Sequence, residues 1–379
     1  MHSVLILSFS NLASDPRVNR QIRTLARNFR VLAAGYAHPQ VDGVEYFAVP
    51  PPNVPRTIPG KAWAALLLKL GRYEHYYWSR PEVRWCLSAL AATRPSVIVA
   101  NDVGSLPVAL KLDSRFGVIL DAHEYAPREL EDRIVWRLFF QRYNDYLCRG
   151  YLPKVAGMTT VCQSIADAYR ASYGVASEVL LNAPPYQDLR PSPVEAGRIR
   201  LVHHGGAMPS RKIELMIEMM DYLDERFDLD LMLVPTDARY LERLRSLAMR
   251  RPRVRLAPTV PMRELPVHLN RYDIGLYLLP PTNFNNQLAL PNKFFDFVQA
   301  RLAVAIGPSP EMAHLVRQYG CGLVSGDFNP RSLAEQLNAL DRTRIESYKQ
   351  RSHAAAKVLC FEMNSAVLIE MIERLTGSS

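Results

Sequence analysis

The sequence predicts an α/β protein of two doubly wound, Rossmann-like domains, and three observations predict it. Strand and helix signals alternate along residues 1–186. The same alternation restarts at Arg198. Between the two runs, Ala183 to Gly197 crowds Pro184, Pro185, Pro191 and Pro193 among polar residues, which reads as an extended linker. Strand–helix–strand alternation implies a parallel sheet covered by helices on both faces. A chain of 379 residues suits two such domains. The expected bounds are 1–186 and 187–362, with 363–379 as a terminal helix.

His2 to Phe9 reads as the first buried strand. Asp15-Pro16 then opens a helix, with Asp as N-cap and Pro at the first helical position. Val18, Ile22, Leu25 and Phe29 form its apolar stripe, and Arg17, Arg20, Arg23, Arg27 and Arg30 are expected off it. Phe29 to Ala34, Ser96 to Ala100 and Gly117 to Leu120 follow as strands, the last two separated by a helix around Val108. In the second half, Arg198 to His203 reads as a strand and Gly205-Gly206 as a tight turn. Ser210 is expected to cap a helix with Ile213, Met216, Ile217, Met220 and Leu223 inward. Leu229 to Val234, Val254 to Leu256, Ile274 to Leu278 and Ala303 to Ile306 are the next strands. Leu265 to Leu269, Phe294 to Ala300 and Met312 to Arg317 are helices.

Hydrophobic residues make up 48% and charged residues 22%, an ordinary globular mixture. The apolar runs fall short of the roughly 20 residues a membrane span needs. Met1-His2-Ser3 lacks the basic start of a signal peptide. Five scattered cysteines without CxxC spacing indicate neither a disulfide framework nor a zinc site, so a reducing cytoplasm is expected. Of the formal charge of +9, residues 1–186 hold +6. Such an excess attracts phosphates, nucleic acid or anionic lipid alike, and it is equally read as an arginine-rich solvated surface. No RRM, helix-turn-helix or zinc motif points to nucleic acid, which is not expected as a partner.

In parallel α/β sheets, ligands bind beyond the carboxyl ends of the strands, so the loops there carry the candidates. The first, Ser8-Phe9-Ser10-Asn11, lacks GxGxxG, which argues against a dinucleotide. It reads either as an ordinary polar loop or as a close approach to an anion, with Asn11 the candidate. After Leu120 come Asp121, His123 and Glu124, a histidine among carboxylates that can orient hydroxyls or exchange protons near neutral pH. Gly205 and Gly206 let backbone approach a ligand, and Arg211 and Lys212 follow as cations suited to a diphosphate. Pro291 opens a helix bearing Asn292, Lys293 and Asp296. Asn292 and Asp296 share one face, where a carboxylate is able to accept ribose hydroxyls or to complement the helix dipole. No DxD-like pair for a metal is present.

Four blocks together resemble the retaining GT-B glycosyltransferases of the family 4 type. They are Ser14-Asp15-Pro16-Arg17-Val18, Asp121-Ala122-His123-Glu124, Met158-Thr159-Thr160-Val161 through Asn182-Ala183-Pro184, and Leu290-Pro291-Asn292-Lys293-Phe294-Phe295-Asp296-Phe297 with Pro310-Glu311-Met312. The resemblance implies a GT-B fold whose two domains face a central cleft, with the last helix crossing back to the N-terminal domain. It implies transfer of a hexose-type sugar from a UDP- or GDP-linked donor to a glycan, lipid-linked or small-molecule acceptor, in bacterial polysaccharide or glycoconjugate synthesis. The nucleotide sugar is a co-substrate, and neither cofactor nor metal is expected. Arg211 and Lys212 match the diphosphate-binding pair, with Asp296 on ribose and Val260 and Pro261 against the base. His123, Arg211 and Lys212 would be catalytic, and Asn11, Asp121 and Glu124 would face the acceptor. Two departures stand out: Leu288 occupies the place of the first carboxylate of the family's pair, where Asn285, Asn286 or Gln287 would have to substitute, and Gly206 occupies the place of an arginine.

Two other functions fit the same scaffold: a nucleotide-sugar 2-epimerase and a non-catalytic partner subunit. Trp63 to Trp85, with Leu66, Leu67, Leu68, Leu70, Tyr73, Tyr76, Tyr77 and Trp78 among Lys61, Lys69, Arg72, Arg80 and Arg84, favours an acceptor or membrane face. A buried helical hairpin is the other reading of that tract. Peripheral contact with the inner face of a membrane is therefore among the expectations.

Overall fold

A computed structural model describes residues 1–51 and 57–377. The first unit is built on Ser3–Ser8 (β1), Arg30–Gly35 (β2), Glu45–Ala48 (β3), Val97–Asn101 (β4), Val118–Ala122 (β5), Gly157–Thr160 (β6) and Glu178–Val179 (β7). These form one sheet in the order β3-β2-β1-β4-β5-β6-β7, parallel throughout. The second unit holds Ile199–Gly206 (β8), Phe227–Val234 (β9), Val254–Leu256 (β10), Ile274–Tyr277 (β11), Ala303–Ile306 (β12) and Gly322–Val324 (β13). Their order is β10-β9-β8-β11-β12-β13, again parallel. The chain thus divides into Met1–Leu180 with Ser365–Ser379, and Leu181–Asn364.

Strands β1, β4 and β5 are buried on both faces, so they read as continuous apolar runs, as parallel strands between helical layers must. Asp15 caps the helix Pro16–Leu25 as its sequence dictates, accepting from the amides of Arg17 (3.1 Å) and Val18 (3.2 Å). Val18, Ile22, Leu25 and Phe29 are all buried against β1 and β2 residues. Leu368, Met371 and Ile372 of the helix Phe361–Thr376 join the same cluster.

Three local expectations are corrected. Gly205-Gly206 is the end of β8, paired with Leu233 and Val234, and not a turn. Ser210 caps no helix: Pro209–Arg211 is a single 3-10 turn closed by Lys212 at φ +50°, and the helix Glu214–Met219 starts without a side-chain cap. That helix has six residues, too short to lend Arg211 and Lys212 a helix-end field. The tract from Lys61 to Trp85 is three helices, Ile58–Lys69, Tyr73–Trp78 and Pro81–Ala89. Strands β3, β6, β7 and β13 carry no sequence signal of their own, being short and, for β3, β7 and β13, at sheet edges. Among the described residues, no helix is long and apolar enough to cross a membrane.

Candidate functional sites at the two switch points

Each sheet reverses its winding beside its first strand: β1 lies between β2 and β4, and β8 between β9 and β11. A crevice opens outside the carboxyl ends at such a point, because successive crossovers leave on opposite faces. The sequence candidates fall at these ends.

In the first unit, the ends of β4 and β5 bring Asn101, Asp102, Asp121 and His123 together. Asp121 is fully buried, and both its oxygens are engaged. Arg17 reaches them through Nε (2.6 Å) and Nη2 (2.5 Å), Thr159 Oγ1 donates at 2.7 Å, and Gln21 donates through Nε2. Burial alone would raise the Asp121 carboxyl, but Arg17 and the hydrogen bonds overcome it and hold it far below the carboxylate range. Arg17 is therefore buried, not on the solvated side of its helix as expected, because Asp121 demands a counter-charge. Asp121 in turn meets His123 Nε2 at 3.3 Å, shared with Asn101 Oδ1 at 3.1 Å. On the other side, Asp102 Oδ2 lies 3.3 Å from His123 Nδ1, and Oδ1 accepts the His123 amide at 3.0 Å. Asp102 attains this through a left-handed φ of +63°. With acceptors near both ring nitrogens, His123 has its pKa raised: burial opposes the charge, and Asp102 and Asp121 outweigh it.

A cavity of about 620 Å³ opens beside His123, lined by Arg80, Glu124, Glu129, Trp136 and Tyr143 among others. Burial first, then the charge of Asp102, pushes the Glu129 carboxyl up to about 7. Glu129 carries no sequence motif that would have singled it out, and Arg80 reads only as one cation of the Trp63 to Trp85 tract. Arg17 and Gln21 had one faint signal, an i, i+4 pair flanking the apolar stripe. Asn11 is exposed, and its Oδ1 accepts the amides of Ala13 (3.1 Å) and Ser14 (3.2 Å), so the side chain shapes its own turn. Asp121 has no exposed atom to offer an acceptor and acts on His123 instead.

In the second unit, the helix Asn292–Gln299 lies against β11, where a Cβ on Gly275 would come within 2.2 Å of the Phe297 ring. Only glycine permits that approach. It delivers Lys293 to the end of β8: Nζ stands 4.0 Å above the Tyr277 ring and 3.3 Å from His203 Nε2. His203 Nδ1 donates to the Leu276 carbonyl at 2.9 Å, which fixes the tautomer and leaves Nε2 to accept. His204 Nε2 is 3.5 Å from Asp296 Oδ2, and Asp296 is 3% exposed. Arg211 Nη1 donates to the Gly206 carbonyl at 3.1 Å. The loop before the helix ties this turn down: Thr282 Oγ1 and Asn286 Nδ2 both donate to the Ser210 carbonyl, at 2.8 and 3.2 Å. Asn286 is thus committed to holding the turn. Lys212 is exposed, Val260 is half-buried and Pro261 exposed in the loop after β10. The structure brings Gly205, Gly206, Arg211, Lys293 and Asp296 together. Among the described residues, no three His, Cys, Asp or Glu side chains gather as a metal-holding group.

A parallel two-unit architecture with a polar cluster at each switch point is the GT-B class, and solved structures of that class match the chain along its length. An α,α-trehalose 6-phosphate synthase from Burkholderia multivorans matches with a TM-score of 0.69 at 12% identity, covering 100% of this chain and 99% of that one. HepE (Alr3699) from Anabaena, solved with UDP and glucose, matches with a TM-score of 0.69 at 14% identity over 99% and 100%. WaaG, a glycosyltransferase involved in lipopolysaccharide biosynthesis, matches with a TM-score of 0.66 at 15% identity over 99% and 100%. At these identities the likeness is one of fold. No protein-family profile and no curated protein matches the chain.

Proposed function

We propose that the chain is a glycosyltransferase that binds a nucleotide diphosphate sugar on its second unit and an acceptor hydroxyl in the cavity of its first. The observation that carries this reading is the convergence of Arg211 and Lys293 on the bare backbone of Gly205-Gly206 at a switch point, a seat for a diphosphate. UDP is the favoured nucleotide, since HepE, of the same fold, is solved with UDP-glucose. As the glycosidic bond breaks, the diphosphate oxygen gains charge, and preorganised cations stabilise it where it develops. Arg211 acts from inside the turn and Lys212 from its exposed rim. Asp296 offsets the cations and Val260 with Pro261 borders the base. His123, held between Asp102 and Asp121, orients the acceptor, and the Glu129 carboxylate takes the hydroxyl proton, so the rate rises as pH passes about 7. Retention of anomeric configuration belongs to the same proposal, as does bacterial glycan or glycoconjugate synthesis.

Thermal shift against UDP- and GDP-sugars, followed by donor consumption with and without acceptors, tests the reading. Stabilisation by a nucleotide sugar, with turnover only when an acceptor is present, is the expected result. Turnover without acceptor would point to the epimerase, and binding without turnover to a partner subunit.

A further inference from the structure

Lys293 is 5% exposed and, among the described residues, forms no ion pair. From β8 it faces His203 and His204, from β11 Tyr277, from the 3-10 turn Arg211, and along its own helix Asp296. Among the described residues, Asp296 and the face of the Tyr277 ring attract its charge, but burial first and Arg211 second outweigh them and hold its ammonium well below the usual lysine range. The two histidines are likewise held down, by burial first. A Cβ on Gly205 would lie 3.3 Å from Lys293 Nζ and 3.5 Å from Arg211 Nη1, so both side chains flank one stretch of side-chain-free backbone. Among the described residues, the cluster therefore holds one permanent cation and one amine able to become a second.

Resting on the donor reading above, we propose that Lys293 is a ligand of the donor's diphosphate and that binding is coupled to uptake of one proton by this side chain. The amine already donates to His203 Nε2 and keeps its lone pair for the incoming proton. A dianion adds counter-charge to that of Asp296, so the charged form becomes more favourable when ligand is present. The proton comes from the buffer, one N–H bond forms, and no covalent bond of the ligand changes. Linkage then makes affinity fall as pH rises, by about tenfold per unit where one full proton is taken up.

The test is isothermal titration calorimetry of the whole chain with UDP-glucose and GDP-mannose, in buffers of contrasting ionisation enthalpy, from pH 7 to 8.5. These diphosphate diesters carry no proton that titrates there, so any exchange belongs to the protein. The expected result is net proton uptake by wild type, and a Kd that rises with pH, by at most about tenfold per unit. Lys293→Met, checked for a native melting transition, should lose the uptake and bind about 100-fold more weakly at pH 7. Lys293→Arg, always charged, should bind without proton exchange. Wild-type binding with no uptake, or uptake that persists in Lys293→Met, overturns the proton coupling while the donor reading stands. If neither nucleotide sugar binds wild type, the donor site itself is wrong and this inference falls with it.

Discussion

Asp121 and Arg17 are buried together, so removing either partner strands a charge. Arg17→Met should cost about 3–5 kcal/mol in urea unfolding, and adding Asp121→Leu should recover a large part of it. A single-variant loss under about 1 kcal/mol would mean that solvent screens the pair. His123 gives a test with a sign. Its folded pKa is raised above the ordinary value near 6.5, so its ionic contacts stabilise fully below that pH and fade as pH climbs through the folded value. The stability gap between wild type and His123→Gln should be wide at a pH below the ordinary histidine value and narrower at a pH well above it. Urea midpoints at the two pH values decide; an unchanged gap would show a histidine that is neutral throughout.

One element sets the second site: the helix Asn292–Gln299, buried on every side from Lys293 onward. Its seat depends on Gly275, whose missing side chain admits the Phe297 ring. Gly275→Ala should destabilise by about 1–3 kcal/mol through overpacking and weaken nucleotide binding, because the displaced helix carries Lys293 away from Gly205. Gly150, in the helix Gln141–Tyr151, has nothing within 4 Å of a Cβ, so Gly150→Ala should bring no loss. Thermal melts and UDP titration of both variants compare the two. The sequence marked this helix clearly, through Pro291 and the apolar run that follows. It could not show that Asp296 faces His204, since that contact joins residues far apart along the chain.

At the scale of the whole chain, its surface bears on where it works. The tract from Lys61 to Trp85 splits in the structure. Leu67, Leu68, Tyr76 and Tyr77 are buried, while Trp63, Leu66 and Leu70 are exposed. The helix Ile134–Phe139 packs against Ile58–Lys69 and adds exposed Ile134, Val135 and Leu138. Exposed Lys61, Lys69, Arg72, Arg133 and Arg137 lie on the same two helices or at their ends. This apolar surface with a cationic fringe suits peripheral contact with anionic lipid, and the contact should weaken as salt shortens the Debye length. The expected result is co-sedimentation with phosphatidylglycerol vesicles at low salt, lost at high salt and in Lys69→Glu/Arg72→Glu or Ile134→Asp/Leu138→Asp. Failure of wild type to sediment at low salt would leave a water-soluble acceptor in its place.

Local physics made much of this chain legible without coordinates. The alternation of apolar strands with capped helices, the Asp15-Pro16 helix start and the proline-rich join each depend on neighbours in sequence, and they are enough to predict two parallel α/β units. The block from Leu290 to Phe297 and the histidine after β5 were readable as candidates for the same reason, because ligands gather at the ends of such strands. Tertiary structure alone decided which charges are buried. Arg17 looked like one more arginine of a basic helix until Asp121 met it from 104 residues away. Glu129 became a carboxyl near neutrality only through the walls around it, and Lys293 became the buried amine beside Gly205 only because β8 and β11 lie side by side. Burial and electrostatic pairing are set by which strands become neighbours, and that is a property of topology that local pattern does not encode.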